Sequence, residues 1–590
     1  MIKARITLFW VWFYITVWVY VLQAAIKHCV ALLRKGPLLG NGPLLENGPL
    51  LGNGPLLENG PLLENGPLLE NGPLLENGPL LENGPLLGKK AKSIRMIAAY
   101  YQDRTKSLFL AKKRRFINQI FECAAQASNK QKWLLFFAEL LDTNALLQDE
   151  ICGLLLFALE AGELNIVRRC VDFFPLQAPE FISLQRNAAV QCFLKGEYKL
   201  AEDIWSLTEE YRHVEIEKRD LNRYGVRYLG PHWFIAIGHI AHLDTFLKHQ
   251  MLKEEPIRTF IPILPEDINI PNKYFFDLWQ PLLAPTGTSQ VLPQLSKTDM
   301  TLLEEDFWSL RVAPNRALMF NRAGAYVQRT WKKQKHSSIL SLPKTDYYRG
   351  WKILESLGVP TGSWFVCLHV RESGFHQAWH DKNPGTRNAD VRTYRLAIEA
   401  VVKRGGYVVR VGDATMQPLG EMRGLVNYAF SDAKSDFMDI FLCSECRFFI
   451  GTNSGLGLVP PVFDKPCVMT NWSPIAIPQW YPNDLFIPKL VKSVNDGRLL
   501  AFPELLSTQI GWSQFAKFFE ANELVVLDND PEDITNVVIE MLDRLNGKAT
   551  YSTEDEKRIE TFERLSEEYT GYIGSRIGKD FIHRYAHLLD

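Results

Sequence analysis

Phe448–Trp472 reads FFIGTNSGLGLVPPVFDKPCVMTNW: a short apolar run, Phe448–Ile450, stops at Gly451-Thr452-Asn453-Ser454-Gly455, and a second run, Pro466–Asn471, follows after a loop. Apolar runs of this length bounded by glycine and proline predict strands buried on both faces, as in a parallel sheet. Small residues at the first strand's tip leave space. The side chains of Thr452, Asn453 and Ser454, with a helix N-terminus after them, offer hydrogen bonds to an anionic group such as phosphate.

The same grammar extends in both directions. WFVCLHVRESG predicts a buried strand, Trp364–Val370, ending in Arg371, Glu372 and Ser373. Open α/β sheets bind ligands beyond the carboxyl ends of such strands, and an arginine fork there can hold a diphosphate and stay charged as the leaving group develops negative charge. A helix over Thr393–Lys403 leads to a strand over Tyr407–Val411 that ends in Gly412-Asp413. A strand over Leu425–Phe430 precedes a helix capped by Ser435, and ELVVLDNDPEDITNVVIEMLDRL supplies a late strand and helix. Together these predict a doubly wound sheet. Upstream, GPHWFIAIGHIAHLDTFLKHQML (Gly230–Leu252) predicts a strand over Trp233–Ile237, a turn at Gly238 and a helix carrying His239, His242 and Asp244. A glycine there would let a ligand approach backbone N–H groups. The two histidines read equally well as interfacial polar residues.

Residues 91–223 have apolar positions at helical spacing. NAAVQCFLKGEYKLAEDIWSLTEEY places Ala189 and Phe193 on one helix, a turn at Gly196, and Tyr198, Ala201 and Trp205 on the next, a tetratricopeptide-like hairpin. Such a region is either a lobe packed on the α/β part or a groove for a protein partner. Before it, residues 36–90 hold nine GPLLEN-type hexads, Gly36 to Lys89. Gly-Pro every six residues breaks any helix, so this is a spacer. Ile6–Ile26 carries no charge over 21 residues, enough to cross the ~30 Å of hydrocarbon in a bilayer. Residues 1–35 therefore read as a transmembrane anchor with its flanks; a secretory signal is the other reading. Lys27, Arg34 and Lys35 tip the orientation toward a cytosolic C-terminal side. In a bacterium that is the cytoplasmic face of the inner membrane; in a eukaryote the layout suits a Golgi type II protein.

A net charge of -1 gives no field for gripping nucleic acid. Nine scattered cysteines make no disulfide framework, and Cys443-x-x-Cys446 lacks a second pair for zinc. Asp528-Asn529-Asp530 spells D-x-D, yet Pro531 and a helical run follow, which predicts a helix cap and no metal.

HVRESG, RVGD and SDFMDIFLCSECRFFIGTNSG, in that order, resemble the donor-binding lobe of GT-B glycosyltransferases of the fucosyltransferase-like group. More narrowly, Gly225 to Asn546 resembles a family of mostly bacterial, glycosyltransferase-like proteins with similar GPHW…GHIAHLD, HVRESG and FIGTNSG stretches, and GTNSGLGLVPPVFDKP also resembles heptosyltransferase-like GT-B enzymes. The resemblance implies an α/β fold: a GT-B-like pair of Rossmann-type lobes, acceptor-side 224–350 and donor-binding 351–550, with C-terminal helices in 551–590 packing back. It implies a hexosyltransferase using a nucleotide-diphosphate sugar as donor substrate and a glycan, lipid or protein as acceptor, with no cofactor. Arg371 would contact the β-phosphate, with His369 supporting that strand end. Thr452, Asn453, Ser454 and Gly455 would line phosphate or nucleotide, with Asp413, Asp436 or Asp439 toward ribose or base. Gly238 and His239 would face the donor from the first lobe, and His239, His242 and Asp244 are the base candidates. Glu372-Ser373-Gly374 departs from the fucosyltransferase pattern, which puts GDP-fucose in doubt. A membrane-tethered adaptor whose α/β part binds a nucleotide sugar or glycan without turnover is the alternative.

Overall fold

The computed structural model describes residues 179–253, 258–284, 294–374 and 385–590, with 163–173 and scattered positions from 141 to 161. The anchor, the spacer and most of the first helical stretch lie outside the described residues. Among the described residues no helix is long and apolar enough to cross a membrane.

The expected hairpin is formed by helices Ile182–Leu194 and Tyr198–Lys218, turning at Gly196. Ala189, Phe193, Tyr198, Ala201 and Trp205 are all buried. The second helix is fastened to the α/β part: Glu202 pairs with Arg322 at 2.6 Å, and Ser206 bonds both backbone groups of Ala317. Deeper in, Glu209 bridges Arg186 (2.7 Å) and Arg212 (2.6 Å), and Arg212 reaches Glu305. Burial would push the Glu209 carboxyl up, but the two guanidiniums override it and hold it at about 2. The hairpin is thereby packed on the α/β part.

The first α/β lobe has a parallel sheet of β1 (Val226–Leu229), β2 (Thr259–Pro262) and β3 (Glu304–Glu305), in the order β2-β1-β3, and a hairpin of β4 (Ser309–Ala313) and β5 (Arg316–Met319). The strand expected over Trp233–Ile237 is not there. Pro231 has no N–H to continue a ladder, and a short turn, Pro231–Trp233, leads into helix Ile237–Leu252. The apolar run is instead a core plug: Trp233 and Phe234 are fully buried against Phe246, Phe307 and Phe276.

The second lobe is a seven-stranded parallel sheet. Its strands are β6 (Phe365–His369), β7 (Tyr407–Arg410), β8 (Leu425–Val426), β9 (Phe449–Gly451), β10 (Cys467–Trp472), β11 (Leu485–Pro488) and, after the antiparallel pair β12 (Leu490–Ser493) and β13 (Leu524–Leu527), β14 (Arg576–Ile577). The spatial order is β14-β11-β10-β9-β6-β7-β8. The chain thus starts in the middle, winds outward through β7 to β8, returns beside β6 as β9, and winds outward the other way. Two expectations are corrected. Only Leu425–Val426 is strand, with Tyr428–Phe430 turning helical, and LVVL lies outside the main sheet. A strand in a helix-covered parallel sheet is buried on both faces, as β10 is throughout, whereas β13 is half-exposed.

Candidate active site at the switch point

Strand order reverses between β6 and β9, which pair with His369 opposite Gly451. Side chains beyond that pair cross-link the two tips. The Arg371 N–H donates to Thr452 Oγ1 (2.9 Å), the Thr452 N–H donates to the His369 carbonyl (3.2 Å), and Ser454 Oγ lies 3.1 Å from His369 Nδ1. Asn453 Nδ2 donates to the Ser473 carbonyl at 2.8 Å. Thr452, fully buried, and Asn453 therefore use these side-chain groups to build the tip. Arg371 is partly exposed at this tip, whereas Ser454 is buried with its Oγ against His369. Arg371 Nε also donates to Asn388 Oδ1 (3.2 Å), whose own carbonyl accepts from Lys489 Nζ (2.6 Å); Lys489 pairs with Asp528 at 2.6 Å. The helix expected after Ser454 is replaced by two four-residue turns, Gly455–Leu458 and Pro460–Phe463. So few peptides sum to little dipole, and the charge at this tip comes from side chains.

Burial, with Arg371 and Arg410 nearby, pushes the His369 imidazole down to about 4 against a modest pull from Asp413, so it is neutral near pH 7. Asp413 closes a turn by accepting the Thr415 N–H at 2.8 Å and its hydroxyl. Asp436 accepts the Lys273 N–H from the first lobe (2.8 Å), and Asp439 accepts from Tyr428 (2.9 Å) and Lys434. These carboxylates are engaged in structure.

From the first lobe, Gly238 meets Gly455. A Cβ on Gly238 would stand 2.8 Å from the Gly455 Cα, and one on Gly455 would stand 3.0 Å from the Gly238 nitrogen. Only glycines let the two backbones touch, and the space expected for a ligand at Gly238 is taken by Gly455. The next residue, His239, donates from Nδ1 to the His232 carbonyl at 2.7 Å. A carbonyl only accepts, so Nδ1 carries the proton and Nε2 of the neutral ring is the basic nitrogen. His232, His239 and His242 surround Phe307 at 4.5, 4.5 and 4.9 Å. Burial holds His232 at about 3 and His239 at about 4, and drives His242 well below its ordinary value.

Asp244 sits about 200° around the helix from His242. It is fully buried, and its Oδ2 accepts from Lys248 (2.9 Å) and Gln328 (2.8 Å). Asp244 is thus an ion-pair partner within the first lobe, and of the expected bases His239 and His242 stand at the contact between lobes, His242 with its ring 5.3 Å from that of Trp480.

The neutral histidines fix an acid limb. Unfolded imidazoles take up protons near pH 6.5, whereas His232, His239 and His369 resist until about 3 to 4. Between those values the unfolded chain binds more protons, so stability is full above pH 6.5 and falls as pH drops toward 4. Thermal unfolding across pH 7.5 to 4 should show Tm flat above 6.5 and declining below.

Among the described residues no group of His, Cys, Asp or Glu is placed to hold a metal ion. Asp530 occupies the N-cap of helix Pro531–Leu545, but its carboxylate turns to Arg584 (3.3 Å). Asn529 is buried against Asn471 and Pro488. Cys443 and Cys446 are buried free thiols at a helix end. Sequence reasoning did not single out Asn388, Lys489 or Arg410. A lone arginine in YVVRVG was a readable oddity, whereas the other two gain their roles from tertiary neighbours.

No family model matches this sequence, and no curated protein matches it. Solved structures are similar at low level, two of them as follows. One is a dodecameric iron-containing heptosyltransferase, TibC, in complex with ADP-D-beta-D-heptose: 14% identity, 42% of this chain and 57% of that chain covered, TM-score 0.23. The other is the glycosyl transferase family 9 protein from Veillonella parvula DSM 2008: 9% identity, 41% and 66% covered, TM-score 0.23. The chain spans less than two thirds of the length of either. Likeness at this level leaves function to be argued from this chain's own residues.

Proposed function

We propose that this protein is a membrane-anchored glycosyltransferase that moves a sugar from a nucleotide-diphosphate donor to a glycan, lipid or protein hydroxyl, without a metal, in a GT-B-like pair of lobes. The observation that carries this reading is the reversal of strand order between β6 and β9, with Arg371, His369 and Ser454 gathered at those tips. Such reversals open a crevice at the carboxyl edge of a sheet where nucleotides bind. In this reading Arg371 holds the diphosphate and takes up the charge of the departing oxygen, and Ser454 donates a further bond. Neutral His369 supports Ser454 without adding a second fixed charge. His239, through Nε2, is the base offered to the acceptor hydroxyl, and its low proton affinity makes it a modest one. Ile6–Ile26 would hold the enzyme at a membrane, on the strength of its length and lack of charge.

The test is thermal unfolding of the full-length protein with UDP, GDP, ADP, CDP and their common sugar conjugates. A ligand at a hundredfold excess over its Kd stabilises by about 2.7 kcal/mol, a readable shift. One nucleotide class should raise Tm and then support sugar transfer to an added acceptor. Binding without transfer to any acceptor favours the non-catalytic adaptor; if the folded protein responds to none at millimolar concentration, the reading fails and only a glycan-binding adaptor takes its place.

A further inference from the structure

Arg410 is the last residue of β7, and its side chain is 0% exposed. Its neighbours Val408, Val409 and Val411 are the residues a sheet covered on both faces calls for; an arginine is not. Arg410 Nη2 donates to Glu372 Oε1 at 3.1 Å, and the guanidinium carbon lies 5.5 Å from the centre of the Phe430 ring. Nε and Nη1 have no hydrogen-bond partner among the described residues. Removing a cation from water for a single ion-pair bond costs stability, and a well-packed apolar residue would serve a core better.

What the buried cation does hold is Glu372. That carboxylate spends Oε1 on Arg410 and Oε2 on the N–H of Gln417, in the loop after β7. Glu372 directly follows Arg371, whose N–H is tied to Thr452 and whose carbonyl accepts the Ala389 N–H at 3.1 Å. The segment is therefore pinned on three sides: to the β9 tip, to the chain around Asn388, and through Glu372 to β7 and its loop. A fork that must meet a diphosphate works only if its backbone cannot drift, and buried supporting bonds supply that rigidity.

We propose that Arg410 is a positioning residue for the diphosphate site, acting through Glu372 to hold Arg371 across the β6–β9 switch point. The inference rests on the transferase reading above. It requires that Arg410 act on bound nucleotide only by way of Arg371.

A double-mutant cycle tests this with the full-length protein, titrating UDP, GDP and ADP and following whichever binds the wild type. Arg410→Met should weaken binding about tenfold, the low end of what losing an outer supporting residue costs a site. Arg410→Lys, which can still reach the single Glu372 oxygen used, should stay within about threefold of wild type. In an Arg371→Ala background, Arg410→Met should add less than about twofold, because independent sites add and coupled ones do not. Should Arg410→Met fail to fold, Glu372→Gln, at the partly exposed end of the pair, replaces it in the same cycle with the same expected coupling. Full additivity overturns the inference and leaves the transferase reading standing. A folded wild type that binds none of the three diphosphates, nor CDP or the sugar conjugates, overturns both.

Discussion

Arg371→Ala is expected to lower kcat by about two to three orders of magnitude, about 3–4 kcal/mol of transition-state stabilisation, the size of losing one preorganised donor to a developing oxyanion. The fold should survive, because the bonds that build the strand tip use the backbone of residue 371: its N–H on Thr452 and its carbonyl on the Ala389 N–H. Alanine keeps both. The Nε bond to Asn388 is lost, at a part-buried position where a water can replace it. Tm should therefore move little while turnover collapses. Arg371→Lys restores the charge without the planar fork and should fall between the two. Steady-state kinetics with the donor named by the nucleotide panel, read beside Tm, decides the matter. A loss below tenfold would remove Arg371 from the leaving group.

Where the sequence was readable and where it was not follows from what fixes each element. β6, β7, β9 and β10 are apolar runs ended by polar or glycine tips, a local pattern, and they lie within a residue or two of expectation. Trp233–Ile237 has the same apolar density, but Pro231 and the aromatic pocket around Trp233 make it a plug, and that pocket is assembled by residues as distant as Phe307. β11 ends in Pro488 and β14 is two residues long, too short for any periodicity to declare itself. β13 looks like β10 in composition; its antiparallel partner β12 is chosen by tertiary pairing. The site divides in the same way. That Arg371 and Ser454 follow strand ends could be read directly, and strand ends are where ligands bind. That Thr452 and Asn453 would spend their side chains on the Arg371 N–H and the Ser473 carbonyl could not, since those partners meet only in the folded sheet.

Asp244 shows how a plausible base becomes a structural group, and its replacement should produce the largest loss of stability. Asp244 and Lys248 are 0% and 1% exposed, 2.9 Å apart, one helical turn from each other. Gln328 bonds the same carboxylate oxygen and also the lysine, and Lys248 stands 5.6 Å from the Trp331 ring centre. Burial pushes the Asp244 carboxyl up, and the lysine and Gln328 pull it back without cancelling that push. Asp244→Ala leaves an ammonium buried with only an amide oxygen and an indole face, and should cost about 3–5 kcal/mol. The diagnostic is the partner change. Asp244→Leu combined with Lys248→Met removes both charges and should recover most of the loss, because a buried pair is worth little more than good apolar packing. A catalytic carboxylate would behave in the opposite way: the double variant would fold well and still be inactive. Denaturant unfolding gives the first comparison and turnover the second, and stable, active protein from the double variant would leave His239 and His242 as the bases to pursue.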